Sequence, residues 1–190
     1  MARDRQTIPG AGTLGMAIFL VSLSVLFAAS LVGFLVVRHQ AAQWVPAGTP
    51  PLPFGLWVAT LSIVVASGTM QAAVVAIRRG KQRGATRALA ATLALGIAFL
   101  VVQGLNWWKM VAVDAVLATQ SLYAFTFYML TVLHAIHVVG GLIPLAVTTA
   151  RARGGAYSWA DHQGVRLMGM YWHFLGVVWV VLFVALLLSS

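Results

Sequence analysis

Five histidines (His39, His134, His137, His162 and His173) and three aspartates (Asp4, Asp114 and Asp161) are the first side chains to consider for proton or metal chemistry in this 190-residue chain, which has no glutamate and no cysteine. Without a thiol there is no disulfide, thiolate metal site, iron–sulfur cluster or cysteine nucleophile. His134 and His137 stand three apart, a spacing that puts them on one helix face with Tyr123, Phe127, Thr131 and Gly141. An ionisable group in an apolar segment is a functional candidate because burying it without partners is costly. Metal ligation is one option, but no carboxylate follows the pair. The one other deep histidine, His173, falls roughly 10 Å from the inner end of its own apolar segment, against roughly 18 Å for His137 from the same surface. One ion does not easily collect all three. Stacked haems need two axial histidines on one helix several turns apart, and no segment offers them. All three aspartates lie outside the apolar segments, so there is no buried chain of acids for proton or cation transport. Nor is there an acid–base or nucleophile–base pair. The structural alternative is that each imidazole hydrogen-bonds a neighbouring helix. For Trp172 and His173, within Tyr171-Trp172-His173-Phe174, spacing alone leaves a lipid headgroup, a partner chain or interfacial packing open. Arg166 reads as snorkelling to the headgroups. Gln103 and Asn106 read as interface amides.

The elements that must position these residues follow from composition. Hydrophobic residues make up 61% of the chain and charged residues 8%, with a net charge of +9. So apolar a chain cannot hide its surface in one small soluble core, and it is too hydrophobic to be disordered. Five stretches are long enough to span a membrane: 14–37, 54–77, 88–108, 122–149 and 167–188. Pro46 and the Pro50, Pro51, Pro53 cluster break the first gap. Arg78-Arg79-Gly80-Lys81 and Arg151-Ala152-Arg153-Gly154-Gly155 read as charged turns. The first stretch exceeds the core of a signal peptide and reads as a retained helix. The expected fold is all-α, a polytopic bundle of five transmembrane helices forming one membrane domain over residues 1–190, without internal repeats.

Ten of the twelve cations (Arg3, Arg5, Arg78, Arg79, Lys81, Arg83, Arg87, Arg151, Arg153 and Arg166) fall on one side of such a bundle, leaving Arg38 and Lys109 on the other. Cations collect in cytoplasmic loops, so the N-terminus is expected inside and the C-terminus outside. The 78–87 stretch then reads as a cytoplasmic loop, not a nucleic-acid patch. Trp44, Trp57, Trp107 and Trp108 fall at the outer surface and Trp159 at the inner one. Small residues four apart (Ala29 and Gly33; Gly68, Ala72 and Ala76; Ala90, Ala94 and Ala98) mark surfaces for close helix approach, within the bundle and towards other helices.

At these residues a family becomes recognisable. The chain resembles, from Gly15 to its end, subunit III of the haem–copper terminal oxidases (cytochrome c and quinol oxidases) in the five-helix bacterial form. The most specific pieces are Thr126-Phe127 through Leu133-His134-Ala135-Ile136-His137-Val138-Val139-Gly140-Gly141, and Tyr171-Trp172-His173-Phe174 with Val177-Val178-Trp179. Supporting pieces are Gly15-Met16-Ala17-Ile18-Phe19-Leu20-Val21-Ser22, Leu52-Pro53 with Leu56-Trp57 before Ala66-Ser67-Gly68-Thr69, and Gly96 with Phe99 and Gln103. The resemblance implies a non-catalytic subunit of the bacterial inner membrane with no cofactor of its own. Haem and copper would sit in the partner, catalytic subunit I, and this chain would pack on that subunit, bind phospholipid and support aerobic electron transport. The seven-helix form has two further N-terminal helices without a counterpart here, so helices of other chains would complete a comparable lipid cleft. His134, His137, Trp172 and His173 match the family, which implies lipid or subunit contact at these positions; Arg166 is a further candidate for such contact. Where the family carries carboxylates, this chain has Leu23, Asn106, Arg166 and Gly176, so roles resting on those acids do not transfer.

The missing acids leave a second branch open, a subunit III-like partner of a nitric oxide reductase. The rival from another class is a small membrane transporter or channel lined by the polar face of the fourth helix, disfavoured by the absence of midplane acids and of repeats. A stand-alone haem enzyme is disfavoured by the histidine spacing.

Overall fold

The computed structural model describes residues 11–46 and 48–190. Five helices follow one another: α1 (Ala11–Gln40), α2 (Gly55–Arg78), α3 (Gln82–Ala112), α4 (Leu122–Arg153) and α5 (Gln163–Leu187). Each contains a window apolar and long enough to cross a bilayer. The helices outrun the apolar stretches. With 31 and 32 residues, α3 and α4 are about 47 Å long at 1.5 Å per residue, against about 30 Å of hydrocarbon. Hydropathy marks only the part that must be dry; backbone hydrogen bonding carries the helix on into the polar layer. The expected loop at 78–87 is therefore mostly helix, with Arg83 and Arg87 on α3 and only a tight turn around Arg79-Gly80-Lys81. Arg151 and Arg153 belong to the last turn of α4, and Arg166 to the first turn of α5. Because α5 starts at Gln163, His173 lies about 15 Å along it, the first turn preceding the apolar stretch.

Two turns at the arginine-rich end close by one device. Lys81 and Gly80 donate backbone bonds to the Ala76 and Ile77 carbonyls (2.9 and 3.0 Å), and Ala156 and Gly155 do the same to Arg151 and Ala152 (3.0 and 3.2 Å). Gly80 (φ 70°) and Gly155 (φ 73°) supply the left-handed residue such a turn requires. At the opposite end the Ser121 hydroxyl caps α4 by accepting from the Ala124 N–H at 3.1 Å.

Helices α2, α3, α4 and α5 close a ring in which each packs on the next and α5 returns to α2; α1 lies outside it, against α4 and α5. Only Leu23, Phe27 and Phe34 of α1 are buried, and the helix is clamped to α5 at both ends. Arg166 on α5 donates to the Thr13 hydroxyl at one end, where snorkelling had been expected. At the other, Arg38 donates to the Leu188 carbonyl (2.9 Å) and Trp44 Nε1 to that of Ser189 (2.8 Å). Eight of the ten cations assigned to one side by sequence collect at one end of the bundle; Arg3, Arg5 and Asp4 lie outside the described residues. Trp57 and Trp108 are exposed at the opposite end and Trp159 at the arginine-rich one, whereas Trp44 and Trp107 are drawn into hydrogen bonds.

Close approach inside the ring does not use most of the small-residue stripes. Ala29, Gly33, Gly68, Ala72 and Ala94 are exposed; Gly33 and Gly68 face open space, whereas half-buried Ala76 lies near Gly84 of α3. Glycines at internal contacts fall outside those stripes, among them Gly55 against Asn106, Gly96 against Trp172, Gly141 against the Tyr171 ring and Gly169 against Val74. A single glycine opposite a large ring leaves no periodic signature.

Gly96→Ala would bring a methyl to 2.7 Å from the Trp172 ring and 2.9 Å from Leu142. We expect it to cost about 1–3 kcal/mol through overpacking, read as a lower thermal midpoint of the solubilised chain. Gly104→Ala on the same helix, with nothing within 4 Å, should leave the midpoint level or raise it. Equal losses from both would contradict this packing.

Candidate functional site

The polar face of α4 turns into the ring. Tyr123, Phe127, Thr131, His134 and Gly141 are all buried, and His137 is half-buried. His134, with 0% of its surface exposed, sits among side chains of α1, α3 and α5. Its ring centroid lies 5.0 Å from Trp179 of α5, 5.6 Å from Phe99 of α3 and 6.2 Å from Phe27 of α1. Trp179 packs edge-on to Phe99 at 4.8 Å and donates its Nε1–H to Thr60 of α2 at 3.0 Å. Among the described residues neither His134 nitrogen has a hydrogen-bond partner, and neither does the amide of buried Gln103. Gln103 follows Phe99 by one turn and precedes Trp107, whose Nε1–H donates to Thr131 at 3.1 Å.

His137 faces α1. Its Nδ1 lies 2.7 Å from the carbonyl of Leu133 on its own helix, and Phe27 packs over it at 5.0 Å. The Tyr171 hydroxyl donates to the His137 carbonyl at 2.8 Å, which brings its ring against Gly141. Of the deep histidines only His173 bonds a neighbouring helix: Ser67 Oγ lies 2.6 Å from its Nδ1 and Gln71 Oε1 3.2 Å from its Nε2. Among the described residues no three His, Asp or Glu side chains converge as metal ligands.

The five candidate residues therefore divide in two. His134 and Trp172 have no exposed surface and are interior side chains. His137, His173 and Arg166 keep exposed atoms. His173 lines an outward groove of about 360 Å³ between α2 and α5, with Ser67, Gly176 and Val177 among its walls. Gln71, exposed on α2, is the functional candidate the sequence reading passed over; a lone amide between Gly68 and Ala72 in an apolar run was the available signal. The four positions lacking the family's carboxylates scatter: Leu23 is buried, Asn106 lies against Gly55, Arg166 ties down Thr13, and Gly176 floors the groove.

Trp179→Ala opens the centre of the bundle and should cost about 3–5 kcal/mol. His134→Leu, which removes two unpartnered nitrogens, should change stability by no more than about 1.5 kcal/mol. Chemical unfolding of the solubilised chain compares them, and a larger loss from His134→Leu would refute this assignment of the centre.

The cytochrome c oxidase subunit III family matches residues 5–190. A cytochrome c oxidase subunit 3 of Synechocystis sp. is 34% identical over 172 residues, covering 90% of this chain and 72% of that one. One from Thermostichus vulcanus is 32% identical over 179 residues, covering 94% and 87%. The mouse protein of the same description is 30% identical over 179 residues, covering 90% of this chain but 67% of its own length. A bundle of five apolar helices with family motifs at its centre, matched along nearly its whole length, belongs to the cytochrome c oxidase subunit III family.

Proposed function

We propose that this chain is a non-catalytic accessory subunit of a bacterial respiratory haem–copper oxidase, packed through its α2/α5 face on the oxygen-reducing subunit and holding phospholipid beside it. As a subunit III it is a membrane component of a cytochrome c oxidase. The observation that carries the finer reading is the Ser67–His173–Gln71 chain of hydrogen bonds. It runs along the outside of the bundle, with Gln71 about 10 Å from the arginine-rich end of α2. An amide with exposed hydrogens at that depth is poorly placed against acyl chains. Gly68 and Ala72 beside it leave room for another backbone to come close. A partner helix carrying a hydrogen-bond acceptor satisfies both.

The arginine-rich end is assigned to the cytoplasm on the charge asymmetry. Lipid is assigned to the apolar groove of about 400 Å³ between α1 and α4, lined by Leu26, Ala29, Gly33, Phe125 and Met129 among others; His137, packed on Phe27, stands near the level of its inner edge, and Arg166, tied to Thr13 at the other end of α1, is assigned to headgroup contact there. Haem and copper belong to the partner. The relatives named above are oxidase subunits, which supports oxidase over nitric oxide reductase.

Tagged chain drawn from its native membranes should bring a haem-bearing subunit with it and, once separated, show no haem absorbance. Gly68→Leu combined with Ala72→Leu pushes an approaching helix away, and haem recovered per tagged chain should fall severalfold. Undiminished recovery, or stoichiometric haem on the separated chain, would overturn the proposal.

A further inference from the structure

At the arginine-rich end a cavity of about 390 Å³ opens between the start of α3 and the end of α4, lined by Gln82, Arg83, Thr86, Arg87, Arg153 and Gly155. Its volume is within the range of about 300–1,000 Å³ typical of ligand sites. Among the described residues none of its three guanidinium groups meets a carboxylate; the one ion pair, Lys109 to Asp114, lies at the opposite end. The first turn of α3 has no side-chain cap and no acid, so its free N–H groups and helix dipole add to the positive field. The carbonyls that would oppose it, at the end of α4, are occupied by the turn through Gly155. The cavity thus gathers positive charge with no carboxylate paired to it among the described residues.

Arg83, Arg87, Ala90, Ala94 and Ala98 follow one another at intervals of four, three, four and four, one continuous stripe of α3. Basic head and small-residue track are thus in line, with Ala94 exposed and Ala90 and Ala98 half-buried. The change from arginine to alanine falls where the apolar span begins, the level of the lipid phosphates. A soluble phosphate would use the head alone; a phospholipid uses both.

We propose that this cavity binds the phosphodiester of an anionic phospholipid, the guanidinium groups pairing with its oxygens and an acyl chain lying along the alanine stripe. The site is separate from the α2/α5 face and the α1/α4 groove, and does not depend on the docking reading.

Full-length chain, delipidated in a neutral detergent, is titrated with phosphatidylglycerol and phosphatidylcholine and bound lipid is counted by native mass spectrometry. Tight retention of one phosphatidylglycerol over phosphatidylcholine is expected. Each of Arg83→Gln, Arg87→Gln and Arg153→Gln should weaken it about fivefold, and the triple variant by more. Arg78→Gln with Arg79→Gln, at the same end but outside the cavity, should leave it unchanged, and circular dichroism checks that each variant keeps its helices. Equal binding of phosphatidylcholine, equal loss in the Arg78/Arg79 variant, or no loss in the cavity variants would overturn the site. Displacement of phosphatidylglycerol by millimolar inorganic phosphate would make it a soluble-anion site instead. An assembled oxidase whose cavity holds an acidic segment of another subunit in place of lipid would equally overturn it.

Discussion

Hydrocarbon offers no hydrogen bonds, so each polar group at membrane depth must find its partner inside protein. Most hydroxyls of this chain obey that constraint, while His134, Gln103 and the Trp172 indole N–H lie buried without a partner among the described residues. Ser22, Ser24 and Ser30 on the exposed helix α1 turn their hydroxyls back to carbonyls four residues earlier, and Thr126 and Thr149 do so on α4. Other groups tie helices together: Trp179 to Thr60, Trp107 to Thr131, Thr69 to Thr92, and Tyr171 to the His137 carbonyl. The Ser67–His173–Gln71 chain departs from the rule by ending in an exposed amide on the α2/α5 face. An isolated bundle pays for that surface; a subunit of a larger complex does not. In the proposed complex a partner helix covers this glutamine.

The interior fits the proposed accessory role. Its centre is an aromatic cluster in which His134 packs near Trp179, Phe99 and Phe27, a geometry suited to fixing where the helices cross. Phe27 reaches the same centre from α1, which is otherwise held mainly at its ends by Arg166, Arg38 and Trp44. A stiff ring with a loosely flanked outer helix presents two kinds of surface. The first is the face proposed for protein, and the second the groove proposed for lipid.

Much of this was legible in the sequence. Five spans and their breakers followed from hydropathy, because a membrane selects apolar runs of fixed length, and the family motifs around His134 and His173 fell on the expected helices. The inward face of α4 was readable from its three- and four-residue spacing. What was not legible depends on pairs of residues far apart in the chain. Nothing in the spacing of Arg166 indicates that it meets Thr13, and nothing around Gly96 reveals the Trp172 ring that requires it. The helix ends were missed because cations and helix are compatible outside the hydrocarbon. The small-residue stripes were found but their direction was not, since a four-residue spacing marks a surface without saying which neighbour it faces.

The chain's lack of native cysteine makes a single Gln71→Cys variant a unique chemical handle at the place where the account expects the partner. Bearing a photoactivatable crosslinker and illuminated in native membranes, that position should join this chain to the haem-carrying subunit, giving one adduct that contains haem. Adducts with lipid alone, in membranes where the oxidase is otherwise assembled, would show that the α2/α5 face looks onto the bilayer and contradict the account.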